Sequence, residues 1–306
     1  MGVVVSVAIA VAAIYALTHA LKDIDYDEVL AAVGRTSPGL VVLALLLVAA
    51  SYVSLTVYDL LALRTIGRSD VPYRVAALAS FTSYPIAHGV GAVALIAPVI
   101  RYRIYSCNGV SIFEVANISF LTGLTFWLGN LTALGLSLLG EADAISLIDY
   151  LPPAINRLLA TALLLGVLAF TVWTWLKPRA FGTPNWLVRL PSGPMVLLQI
   201  AIGIVDLGAA ALAMYVLIPA GTDVGIFRLI AVFIAATLLG FASHAPAGIG
   251  VFDAAILIGL GGEDKEPLIA ALLIFRFLYH LLPFVVALGI FGAMEALRSL
   301  RVKREL

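Results

Sequence analysis

Charge is scarce in this sequence. Of 306 residues only 12% are Asp, Glu, Lys or Arg, and eighteen basic side chains are balanced by eighteen acidic ones, so no net field draws the chain to nucleic acid. Cysteine is nearly absent: Cys107 is single and cannot close an internal disulfide. There is no His-Glu-x-x-His run, no Gly-rich phosphate loop ending in Gly-Lys, and no Gly-x-Ser-x-Gly elbow. These gaps argue against metal hydrolysis, nucleotide hydrolysis and serine-hydrolase chemistry, and no metal or cofactor is expected. What is abundant is apolar: 62% of the residues are hydrophobic, against about 45–50% in an ordinary soluble domain. The composition is that of an integral membrane protein.

Eight apolar segments can be marked, at residues 2–19, 39–63, 75–100, 112–139, 153–176, 194–218, 226–261 and 268–297. They leave no room for a soluble domain or a long linker, so residues 1–306 read as one transmembrane domain with halves near 1–150 and 151–306. The first segment lacks the basic flank of a cleaved signal and reads as a retained helix. The third and seventh are interrupted, by "SYPIAHGVGAV" and "SHAPAGIGVFD". With 26 and 36 residues, they suit pairs of half-helices meeting at a break. Broken backbone at membrane depth is tolerated where it is buried in protein or lines a wet cavity.

Basic residues test the topology, because Lys and Arg gather on the cytoplasmic side. If both broken segments dip in and return, one side holds Arg64, Arg68, Arg74, Arg101, Arg103, Lys177, Arg179, Arg189, Arg298, Arg301, Lys303 and Arg304. The other holds Lys22, Arg35 and Lys265. The expectation is therefore an all-α polytopic protein with six full spans, two re-entrant hairpins entering from opposite faces, and both termini cytoplasmic. An acid in a preceding span followed by a hairpin with His and paired glycines occurs twice: Asp59 with His88, Gly89 and Gly91, then Asp206 with His244, Gly248 and Gly250. That echo suggests an inverted repeat, in which substrate binds where the breaks meet.

An ionisable group inside a bilayer costs about 2.5–3.5 kcal/mol on insertion scales, so each is a functional candidate. Asp206 sits near the middle of its span; its other reading is a carboxylate paired with an arginine or protonated. Asp59 lies near a span end, where it can instead reach water. Arg101 and Arg103, within "APVIRYRIY", can grip a phospholipid phosphate or act as positive-side anchors. Pro246 breaks the helical ladder, and Gly248 and Gly250 permit turning and close approach. The helix that restarts after them offers free N–H groups to an anion, or is capped by its own Asp253. His244 is a donor to phosphate or a helix contact. Ser243, His244 and Asp253 are triad residue types, but Ser243 and His244 are adjacent, and His88, His244 and His280 lack metal-ligand spacing.

"YDLLALRTIGRSDVPYRVAALASFTSYPIAHGVGAVALIAPVIRYRIYSCNGVS", with "FLTGLTFWLGN" and "SHAPAGIGVFD", resembles the flippase domain of the multiple peptide resistance factor, of the lysylphosphatidylglycerol synthase/flippase family. The likeness runs over essentially the whole chain. It implies a non-enzymatic bacterial inner-membrane protein that carries lysyl- or alanyl-phosphatidylglycerol from the inner to the outer leaflet, giving resistance to cationic antimicrobial peptides. It also implies roles for Asp59, Arg101 and Asp206 in that step. Family members usually carry paired glycines where this chain has Ala97-Pro98, and Pro-Gly-Gly-x-Gly-x-x-Glu where it has Pro246-Ala247-Gly248-Ile249-Gly250 and Asp253. The aminoacyltransferase domain of bifunctional members is not in the sequence, so a separate synthase is the expected partner, besides phospholipid, the membrane and, in a homodimer, a second copy. A polyprenyl-phosphate-sugar carrier and a non-transporting scaffold are the alternatives.

Overall fold

The computed structural model describes residues 26–177, 179–183, 186–219, 224–261 and 265–305. The first apolar segment, 2–19, lies outside the described residues. A short amphipathic helix, α1 (Tyr26–Arg35), precedes α2 (Pro38–Ile66). Pro38 opens α2, where a missing N–H costs nothing, and Gly67 closes it in the left-handed region, φ 86°, with Arg68 N–H donating back to the Leu63 carbonyl. The third segment forms α3 (Tyr73–Val90) and α4 (Val93–Tyr105). The fourth and fifth form α5 (Ile112–Gly140) and α7 (Pro153–Leu176), with a short α6 (Ala142–Asp149) between them. A capping box starts α5: Glu114 N–H donates to Ser111 Oγ and Ser111 N–H to Glu114 Oε2.

The chain then departs from the all-α expectation. β1 (Ala180–Thr183) and β2 (Trp186–Arg189) pair antiparallel, with Ala180 opposite Arg189. The segment "AFGTPNWLVR" mixes aromatic and β-branched residues around Pro184-Asn185, a composition that favours a hairpin over a helix. After it come α8 (Gly193–Tyr215), α9 (Ile226–Ser243), α10 (Val251–Leu260), α11 (Glu266–Arg276) and α12 (Leu282–Glu305), the last two joined by a π-helical turn at Phe277–Leu281.

Among the described residues six helices are long and apolar enough to cross a membrane: α2, α5, α7, α8, α9 and the continuous α11–α12 rod. Both interrupted segments are broken, though the first break falls later than its proline suggests. Helix α3 runs through Pro85 and His88 and stops at Gly91, φ 80°. The second break runs from His244 to Gly250, through a single 3-10 turn at Pro246–Gly248. Helix α9 alone reaches spanning length, so the seventh segment is a full-length helix plus a short one rather than two equal halves.

Among the described residues two large buried clusters and a small one, Leu138, Ile145, Ala160 and Ala231, hold the bundle. Met214, Leu229, Ile234, Ile256 and Phe275 pack α8 to α11 together, and Leu63, Tyr105, Ile118 and Leu121 join α2, α4 and α5. Outward faces stay apolar, as on α7, where Leu158, Leu165, Leu168 and Leu176 are exposed, which is how a helix meets lipid rather than water. Helices α5 and α8 cross at bare backbone: a methyl group on Gly129 would sit 2.6 Å from the Cα of Gly203. Small residues at such a crossing let the helix axes approach. Asp206 follows Gly203 by one turn, so this contact sets its depth and rotation.

Candidate functional site

The two breaks touch. A Cβ on Gly91 would lie 3.0 Å from the Pro246 nitrogen and 3.1 Å from the His244 carbonyl oxygen. Beside this contact is a cavity lined by Asp206, Asn130, His88, His280, Tyr279 and Gly248. Asp206 is buried and accepts hydrogen bonds from Ser51 Oγ and from Tyr58 OH, at 2.9 Å. Among the described residues no Lys or Arg forms an ion pair with it. Two hydroxyl donors from α2 therefore hold this carboxylate, and a cation is the partner it lacks. In the same wall Asn130 Oδ1 and His280 Nδ1 are buried without a hydrogen bond among the described residues. Buried polar atoms are seldom left unpaired.

Aromatic rings frame the cavity. His88 stacks on Tyr84 at 5.6 Å and meets the edge of His280 at 5.3 Å, with Phe241 at 5.1 Å. Tyr279 and His280 belong to the π-helical turn; such bulges re-aim side chains and recur at functional sites. Gly89, next to His88, gives Phe284 its place, since a Cβ there would be 2.6 Å from the ring.

Asp59 and Arg101 form a second buried unit. Arg101 donates Nη2 to Asp59 Oδ1 at 2.9 Å and Nε to Oδ2 at 3.0 Å, and Tyr105 OH donates to the same Oδ2 at 2.8 Å. Asp59 is wholly inaccessible, so it is a buried partner of Arg101 rather than a carboxylate in contact with water. Adjacent residues of α2 thus serve two places, Tyr58 the Asp206 cavity and Asp59 the arginine. Arg103 points elsewhere: it is exposed and pairs with Glu295 of α12, at 2.6 Å.

A third unit staples the second break. Asp253 accepts the Gly250 N–H at 3.0 Å, a cap on α10, and also pairs with Arg276 through Nε at 2.6 Å and Nη2 at 2.8 Å. Arg276 Nη1 donates to the Ala247 carbonyl at 3.0 Å. His244 ends α9 in the left-handed region, φ 55°, exposed, with its Nδ1 3.1 Å from the Ala242 carbonyl oxygen. Ala247 is left-handed too, φ 49°, as are Gly248 and Gly250, at 63° and 83°.

Of the residues expected from sequence, His88, Gly91, Asp206, Pro246 and Gly248 converge at the breaks, Asp59 joins Arg101, and Gly250 joins Asp253. The sequence does not mark Ser51, Tyr58, Asn130 and Tyr279 as site residues, and Arg276 is not among those expected from it. For Arg276 the signal was present, a lone charge inside the apolar run "LLIFRFLYHLL". The others carry no such mark, being ordinary polar residues in spans.

No protein-family model matches the chain. It is 30% identical over 306 residues to the inner membrane protein YbhN of Escherichia coli, covering 96% of this chain and 93% of that one. It is 29% identical over 260 residues to an uncharacterized protein of Synechocystis, covering 83% and 79%. A shorter likeness, 38% over 85 residues, links 26% of the chain to 10% of the phosphatidylglycerol lysyltransferase of Staphylococcus aureus. The Staphylococcus haemolyticus lysyltransferase matches at 38% over 68 residues, 22% of the chain and 8% of that protein. Six span-capable helices among the described residues, a near full-length match to YbhN and the partial lysyltransferase likeness lead to one assignment: the chain belongs to the lysylphosphatidylglycerol synthase/flippase transmembrane family.

Proposed function

We propose that the protein is a lipid flippase of the bacterial inner membrane, which moves aminoacylated phosphatidylglycerol from the inner to the outer leaflet and thereby lowers susceptibility to cationic peptides. The observation that carries this reading is Asp206, a buried carboxylate without a cationic partner among the described residues, in a cavity beside two touching chain breaks. A lysyl or alanyl headgroup brings an ammonium to such a carboxylate. The buried Asp59–Arg101 pair, which does not line this cavity, is a second place of matching chemistry for such a headgroup: a guanidinium fork suits a phosphate and a carboxylate suits an amine once the two part.

On this reading both broken segments are re-entrant hairpins of an inverted repeat. Two return contacts support it. Arg68, just before α3, donates to the carbonyls of Asn108 and Gly109, just after α4. Arg228, at the start of α9, donates to the Gly259 carbonyl at the end of α10, at 2.9 and 3.1 Å. Both termini then lie in the cytoplasm, and the protein acts as a transporter rather than an enzyme. Its partners are the phospholipid, the bilayer, a separate aminoacyl-phosphatidylglycerol synthase and, in a homodimer, a second copy.

The test is transport by purified protein in liposomes whose inner leaflet carries lysyl-phosphatidylglycerol, with a membrane-impermeant amine reagent reading its arrival outside. Time-dependent labelling above protein-free liposomes is expected. Labelling equal to that of protein-free liposomes would end the flippase reading and leave a scaffold.

A further inference from the structure

A second cavity lies at the end of the bundle where α2 stops and α8 starts, between those helices and the β-hairpin. Arg64, Arg179 and Arg189 line it, with the hydroxyl-bearing Thr65 and Ser192. None of the three arginines has an acidic partner among the described residues, whereas Arg68, Arg103 and Arg298 at the same end are each engaged by Asp70, Glu114 or Glu295. Three guanidinium groups around one concavity repel each other unless an anion joins them. Their places are built rather than accidental. Arg64 Nη1 is held by the Ser69 carbonyl at 2.9 Å, and the Arg189 guanidinium lies beside Gly67. Arg179 stacks over Trp173 at 4.7 Å, and its Nε is shielded from solvent without a hydrogen-bond acceptor. The hairpin itself is anchored, by Asn117 Nδ2 donating to the Leu187 carbonyl at 2.9 Å and by Phe181 packing edge-on to Phe120.

We propose that Arg64, Arg179 and Arg189 form a phosphate site, occupied by the phosphate of an anionic phospholipid. The chemistry is that of several fork-shaped donors converging on tetrahedral oxygens. A lipid is the source because the cavity sits at headgroup level: Trp173, Trp175, Phe181 and Leu187 around it are all exposed, as aromatic and apolar residues are at a membrane boundary. The site is separate from the Asp206 cavity and stands whether or not the protein moves lipid. It holds a lipid against the bundle end, where it ties the β-hairpin to α2 and α8.

The experiment titrates the full chain in neutral detergent micelles with phosphatidylglycerol, phosphatidylcholine or inorganic phosphate, following tryptophan fluorescence, to which Trp173 reports directly. The wild type is expected to give a saturable change with phosphatidylglycerol, weakened about tenfold or more by R64Q/R179Q/R189Q and less by the corresponding lysine replacements, which keep charge but lose the fork. If the triple glutamine variant fails to fold, R189Q alone, at an exposed position, is expected to weaken the change measurably. Unchanged affinity in folded glutamine variants would overturn the proposal. Equal response to phosphatidylcholine would overturn the anion selectivity, and response to inorganic phosphate with none to phosphatidylglycerol would overturn the lipid source.

Discussion

Gly91 ends α3 in the left-handed region and presses its bare Cα side against Pro246, so the breaks of two segments distant in sequence share one contact. Two constraints meet at this glycine. Its φ of 80° disfavours any L side chain, and a Cβ would crowd the Pro246 nitrogen at 3.0 Å. Gly91→Val is therefore expected to lower stability by about 2–4 kcal/mol, summing left-handed strain and overpacking. Thermal melts of the purified variant would measure it; a melting temperature equal to wild type would mean that the breaks do not support each other.

Ala247 occupies a left-handed conformation that favours glycine, at φ 49°. Relief of that strain outweighs the added entropy of an unfolded glycine, so Ala247→Gly is expected to stabilise the protein by up to about 1 kcal/mol. A lower melting temperature would show that the methyl group packs usefully against its neighbours.

The Asp59–Arg101 pair makes a different prediction, because removing one buried partner strands the other. Either Asp59→Ala or Arg101→Ala is expected to cost about 3–5 kcal/mol, while a double replacement with apolar residues costs much less. Arg101→Lys keeps the charge but loses the two-nitrogen fork, so it retains part of the stability and part of the transport. A double-mutant cycle in melting experiments checks the first statement. Additive losses would show that the two residues act independently.

The return contacts around Arg68 and the hairpin anchor at Asn117 predict that Asn108 and Lys177 lie on one side of the membrane. Single cysteines there, in a Cys107→Ser background because Cys107 is itself exposed, should both react with an impermeant maleimide from the cytoplasmic side only. Labelling from opposite faces would contradict the two-hairpin topology.

The legible parts of this molecule were the ones that depend on local chemistry. Long apolar runs marked the helices, and Gly91 and Pro246 marked the breaks to within a few residues, because backbone punctuation is a property of the residue itself. Pro85 misleads slightly: a proline in an otherwise helical run is tolerated where neighbouring helices satisfy the freed groups. What was hidden depends on folding together. Nothing adjacent to Ser51 marks it, and Tyr58, though it stands beside Asp59 in the second span, carries no sign that its partner is Asp206, 148 residues away. The pairing of Asp59 with Arg101 and of Asp253 with Arg276 likewise needs the packed bundle. The β-hairpin is not legible, because a short aromatic stretch between spans carries little periodic signal.

The central claim is that Asp206 receives the cationic end of the lipid, and transport by Asp206→Asn tests it most directly. Asparagine keeps the size and most of the hydrogen bonding to Ser51 and Tyr58 but removes the charge. The ammonium of lysyl-phosphatidylglycerol then enters the cavity without a carboxylate to offset its lost hydration, whereas plain phosphatidylglycerol loses no such help. In parallel liposome assays at equal reconstitution, the account predicts a fall of about tenfold or more for the lysyl lipid, since one lost charge interaction of 1.4 kcal/mol suffices, and little change for phosphatidylglycerol. Equal loss for both lipids, or no loss for either, would contradict it.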